Sequence, residues 1–220
     1  MQAIMETIFE SGYLLFALLC GLYLIIKNDG KKYNILFGSA ILLLGFGDGF
    51  HLVPRMYALN TIGLENNQYW LGIGKLITSI TMTIFYLIMY ITLCIKYNNK
   101  PAMWLNIVFG LLFITRIVLV AMPPNNWTGT SPYSWVIIRN VPFILMGAIF
   151  IYLSYIYCKN DKYLKWMWLL VILSFVFYLI TSFGASFVSI LGLMMLPKTI
   201  CYIIIFILVL KEKKKEKEVE

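Results

Sequence analysis

This chain is short of histidine and of acidic side chains. His51 is the only histidine in 220 residues, and ten Asp and Glu stand against eighteen Lys and Arg. With one imidazole and no Cys-x-x-Cys pair, a protein zinc site is not expected. No motif asks for a cofactor, and no known catalytic signature appears. Cys20, Cys94, Cys158 and Cys201 lie in apolar stretches or beside lysine-bearing connections, so they are expected as small core residues and not as disulfides. Charge is scarce as well: 13% of residues are charged and 61% are apolar, with a mean hydropathy of +0.82. Soluble chains sit nearer about 45–50% apolar, so a soluble domain is excluded. The apolar segments are too numerous for a β-barrel pattern. The start, MQAIMETIFE, has Glu6 and Glu10 but no basic stretch, so the first span is expected to remain in the mature protein as a helix.

What is present is an all-α pattern of seven apolar stretches, at residues 7–26, 33–53, 69–95, 103–122, 133–157, 166–186 and 189–210. Each runs to about 20 residues, enough to cross a hydrocarbon core of ~30 Å. The chain therefore reads as a seven-helix transmembrane domain over 1–210, with a charged tail over 211–220 and the lipid bilayer as its first partner.

The net charge of +8 does not point to nucleic acid, because of where it sits. Thirteen of the eighteen cations lie in the connections at 27–32, 96–100 and 159–165 or in the tail. These are alternate connections, which the positive-inside rule makes cytoplasmic. The N-terminus is then outside, the C-terminus inside, and the cell membrane is the expected location. The interleaved tail, KEKKKEKEVE, is expected to be solvated. The segment 123–132, PPNNWTGTSP, reads as an ordered outer turn. Trp127, Trp135, Tyr69 and Trp70 are expected as an outer aromatic belt, with Trp104, Trp166 and Trp168 as an inner one. Asn126-Trp127-Thr128 fits the glycosylation pattern, a match too short to carry weight.

A faint internal echo joins KNDGKKY at 27–33 to KNDKYLK at 159–165, each followed a helix later by a lysine, Lys75 or Lys198. It suggests a 3+1+3 plan of two parallel half-units, with a site where they meet.

Five cations are left inside or at the edge of the spans: Arg55, Lys75, Arg116, Arg139 and Lys198. Span directions put all five in the same outer half as Glu10 and Asp48. An unpaired charge at the bilayer centre costs at least ~2.5–3.5 kcal/mol on insertion scales, so this surplus must meet water, carbonyls or a supplied anion. Within GFGDGFHLVPR, Asp48, His51 and Arg55 fall on one helical face. The expected site is an outward-facing cationic pocket binding a small or amphiphilic anion, built from Asp48, His51, Arg55, Lys75, Arg116, Arg139, Lys198 and Glu10. Snorkelling to headgroups, with pairs such as Glu10–Arg139 or Asp48–Lys75, is the plain alternative. Gly45, Gly47 and Gly49 around Asp48, and Gly72 and Gly74 before Lys75, are expected to let helices approach closely. Thr78 and Ser79 share the Lys75 face. Pro54, Pro142 and Pro197 are expected to interrupt helices near this depth.

Two other functions stay open. Asp48 and His51 would make a carboxylate-oriented base for an intramembrane enzyme, with Ser182 or Ser186 as nucleophile. Seven spans with a lysine in the last, Lys198, also describe retinal proteins, with Asp48 as counter-ion; the third span has no acid.

The strings GDGFHLVPR, GKLITSITMTIFY and RNVPF resemble those of a group of bacterial seven-helix membrane proteins. The likeness covers most of the chain and implies the fold, but no activity and no functional residues. By length and topology the chain is also similar to the SWEET/PQ-loop transporters. It departs from them in lacking a Pro-Gln pair and prolines in the first and sixth spans, so sugar transport is not implied. Homo-oligomer formation is left open.

Overall fold

The computed structural model describes residues 2–219 except Ile62 and Ser186, and leaves out the side chains of Gln2, Ser189 and residues 216–219. Among the described residues there are seven α-helices: α1 (Gln2–Ile26), α2 (Lys32–Asn60), α3 (Gln68–Lys96), α4 (Met103–Ala121), α5 (Tyr133–Cys158), α6 (Met167–Gly184) and α7 (Met195–Val219). All seven are long and apolar enough to cross a membrane. Helix is the form such segments must take, because in lipid each backbone N–H and C=O has to be satisfied within its own segment. Large apolar side chains such as Leu111, Ile114 and Val118 on α4 stay exposed, as a lipid-facing surface requires.

Each helix packs on the next in sequence, and α7 closes the ring by returning to α1 and α2. The α2–α3 contact is the most intimate, and glycine makes it so. A Cβ on Gly47 would strike the Thr81 side chain, and one on Gly74 would strike the backbone of Phe50 and His51. Gly45 meets Ala17 of α1 in the same manner, whereas Gly49 faces open space and brings no helix closer.

Pro54 and Pro142 lie inside α2 and α5, but both helices run on through them and, contrary to expectation, are not interrupted. Pro197 does not interrupt a helix either. The segment Ser189–Met194 is a 3-10 helix and α7 begins only at Met195, so Pro197 sits in the first turn, where its missing N–H has no intrahelical acceptor to leave unbonded. Lys198 is accordingly in the first turn of α7 and not nine residues into it. Likewise α2 runs on to Asn60, which puts Arg55 within that helix and not at its end.

Midway along the bundle an aromatic layer fills the centre. The Tyr86 ring packs on Phe143, Phe150 and Phe175 at 5.3–5.5 Å, and its hydroxyl lies 3.0 Å from that of Tyr202. Beyond it, at the end carrying the lysine-rich connections, charges are paired. Lys213 reaches Asp29 at 2.5 Å, Lys96 bridges to Glu212, and Tyr97 donates to Asp161 at 2.9 Å. Asp161 also takes the amides of Tyr163 and Leu164, both at 2.9 Å. Burial pushes the Asp161 carboxyl up, but hydrogen bonds from Glu212, the two amides and Tyr97 outweigh that and hold it below the usual carboxylate range. The tail is thus not wholly solvated, for α7 continues without a break and buries Lys213 to 4% exposure. Of the cysteines, Cys20, Cys158 and Cys201 are buried, Cys94 is partly so, and all four are free.

Candidate functional site

On the other side of the aromatic layer the bundle opens into a cavity of about 710 Å³. Four of the five cations line it, one each from four helices: Lys75 (α3), Arg116 (α4), Arg139 (α5) and Lys198 (α7), with His51 from α2. No carboxylate lines it among the described residues.

Arg116 is the deepest of these, 1% exposed. One of its terminal nitrogens donates to the Arg139 carbonyl, its guanidinium lies 5.2 Å from the Phe143 ring centroid, and its Nε is buried without a partner. Lys198, 5% exposed, sits over the rings of Tyr178 and Tyr202 at 5.5 and 5.7 Å. Lys75 is exposed to the cavity and makes no hydrogen bond or ion pair among the described residues. His51 has its Nδ1 buried and unpartnered.

Arg139 is held by the loop that covers the cavity. It donates to Asn125 Oδ1 at 3.0 Å and lies 4.1 Å from the Trp127 ring centroid. Asn125 in turn caps the end of α4, donating to the carbonyls of Leu119, Val120 and Met122 at 2.6–3.2 Å. The Trp127 indole N–H bonds the Val120 carbonyl at 2.9 Å, so this ring turns inward and does not belong to an aromatic belt. The loop reaches α3 at Gly72, where a Cβ would collide with the Trp127 carbonyl. Gly72 thus serves loop docking and not the helix approach expected of it. As the sequence predicts, 123–132 is an ordered turn.

The remaining site residues gather in a smaller hollow beside the cavity, lined by Glu6, Glu10, Asp48 and Arg55. His51, Thr78, Met195 and Lys198 border both spaces. Here the expected pairings are replaced. Arg55 reaches Glu6 at 2.8 Å and Glu10 at 3.6 Å, in place of Glu10–Arg139. Asp48 accepts the Tyr13 hydroxyl at 2.7 Å and makes no ion pair with Lys75. Glu10 Oε2 stays buried without a partner. The assignments follow from reach: Glu6 and Glu10 stand one turn apart on α1 facing Arg55 on α2, while Arg139 is across the ring.

The enzyme constellation is not assembled. Asp48 is bonded by Tyr13 and His51 Nδ1 has no partner, so no carboxylate orients the imidazole. Ser182 lines the large cavity; Ser186 lies outside the described residues. Sequence reasoning missed Glu6, Tyr13, Asn125 and Tyr178. Glu6 and Tyr13 had a signal, since with Glu10 they recur at helical spacing along one face of α1. Asn125 and Tyr178 had none. No family model, curated protein or solved structure matches the chain, and function is therefore argued from the site alone.

Proposed function

We propose that this protein is an integral protein of the cell membrane that binds an anion in the four-cation cavity and carries it across. The observation behind this is Arg116: a guanidinium almost wholly removed from solvent, with an orphaned N–H donor, in a hollow with three more cations and no acid among the described residues. A buried charge left uncompensated costs several kcal/mol, and an unmade donor about 1–3 kcal/mol more. An anion bridging Arg116, Arg139 and Lys75 removes both costs at once. With the lysine-rich connections cytoplasmic, the cavity faces outward. Lys75 and Lys198 both reach the cavity; if the chain follows the 3+1+3 plan, that is where a parallel-repeat transporter has its site. His51, on the wall shared with the smaller hollow, and Asp48 within that hollow hold the cation cluster apart from Glu6 and Glu10 or carry coupled protons.

The test is a thermal-stability screen of the purified full-length protein with inorganic phosphate, sulfate and succinate, followed by uptake of the stabilising anion into proteoliposomes. Stabilisation lost in Arg116→Gln, with uptake in the wild type, is the expected result. Should none of these anions raise the unfolding midpoint even at saturating concentration, the binding function is wrong; binding without uptake would leave a binding protein and rule out transport.

A further inference from the structure

The cavity holds more charge and more room than a simple anion needs. A single carboxylate cancels one of the four cations and leaves about three facing one another in a medium where unlike charges attract, and like charges repel, far more strongly than in water. Asp48 relieves only Lys198, and only from the neighbouring hollow. The head group that fits therefore carries close to two negative charges and several acceptor oxygens. A phosphate monoester has both, with a charge of about −1.5 to −2 at neutral pH. Its oxygens match the donors left over, Arg116 Nε and Lys75 Nζ, with Arg139 alongside.

Volume speaks to the rest of the ligand. About 710 Å³ lies within the roughly 300–1,000 Å³ range of pockets that enclose whole organic molecules, far beyond a bare phosphate. Part of the wall is apolar, with Met82, Val136 and Met195 among its residues. One edge is formed by Tyr133 of α5 and Phe187 just after α6, whose rings meet at 5.4 Å. Phe187 is 73% exposed and is followed by exposed Val188 and Ile190, so the cavity's edge is apolar and open at this point.

We infer that the ligand is a phosphate monoester on an apolar body, its head among Arg116, Arg139 and Lys75 and its body leaving past Tyr133 and Phe187. This rests on the anion-binding function proposed above and names its substrate class. The ester can come from a lipid or from a water-soluble aromatic phosphate; the chemistry is shared.

The experiment compares, by thermal shift on the full-length protein in detergent, dihexanoyl phosphatidic acid, phenyl phosphate, inorganic phosphate, hexanoate and dihexanoyl phosphatidylcholine. One or both phosphate monoesters should raise the midpoint by several degrees at a concentration where the other three have little effect. Response to phosphatidic acid alone assigns the lipid source, and response to phenyl phosphate assigns the soluble one. Phe187→Ser, at an exposed position, should weaken the ester about tenfold without altering the affinity for inorganic phosphate. Arg116→Gln and the exposed Lys75→Gln should weaken both, the second guarding against misfolding of the first. If inorganic phosphate works as well as the esters, or hexanoate matches them, this assignment is overturned while anion binding stands. If no anion acts, both are wrong.

Discussion

The two adjoining hollows treat arginine in opposite ways. In the smaller one Arg55 is clasped by Glu6 and Glu10, two carboxylates one turn apart on the neighbouring helix. In the larger one Arg116, more deeply buried, meets a backbone carbonyl and an aromatic face but no carboxylate. A charge with its partners in place is structural: removing it exposes what it neutralised. A charge left without a carboxylate is, on the function proposed above, open to an anion from outside. The lysine-rich end repeats the first pattern, with Lys213 on Asp29 and Lys96 on Glu212.

The contrast is broken most directly by exchanging the two arginines' fates. Arg55→Met should lower stability by about 3 kcal/mol, the cost of stranding buried carboxylates, and leave anion affinity unchanged. Arg116→Gln should do the reverse, costing about 100-fold in affinity with the unfolding midpoint of the empty protein held or raised. Thermal unfolding beside a binding isotherm checks both; a stability loss in Arg116→Gln as large as that in Arg55→Met would make the two sites alike and end the distinction.

Next comes the loop over the cavity. Gly72→Val should push residues 127–128 off α3 and cost about 1–3 kcal/mol by overpacking. Asn125→Ala should cost about 1–2 kcal/mol through the uncapped end of α4 and also weaken anion binding, since Arg139 loses its Asn125 contact. Loss of stability with unchanged binding would separate the loop from the site. Tyr13→Phe should have a smaller effect, about 1 kcal/mol, by freeing the Asp48 carboxylate towards Lys198.

The smallest effect lies at the opposite end. The Asp161 carboxyl is held below its unfolded value, so its contribution is complete above about pH 4 and fades as pH falls through the lower folded value. Asp161→Asn should flatten the acid limb of the stability profile and leave anion binding untouched, measured by unfolding across an acid series.

Much of this was legible in the residue order. Charges inside apolar runs are conspicuous, so the seven helices and the four cavity cations could be picked out one by one. Pairing could not, because which acid meets which cation depends on how helices are rotated and ordered around the ring. Glu10 finds Arg55 and not Arg139 for that reason. Aromatic residues were illegible in another way: Tyr13, Tyr178 and Trp127 have the composition of ordinary core or belt residues, and only position reveals a hydroxyl on Asp48, a ring under Lys198 or an indole beneath Arg139. The 3-10 segment before α7 hid the true depth of Lys198, since an apolar run looks the same whichever helix it forms.

Helix α7 deserves one mechanical consequence. It touches the cavity through Lys198 in its first turn and the far end through Glu212 and Lys213, with no interruption between them. Fifteen residues of unbroken helix make a stiff rod of about 22 Å. Any tilt of α7 at Lys198 would therefore move the Glu212–Lys213 foot against Lys96 and Asp29, so the two ends of the bundle are mechanically joined through one rod.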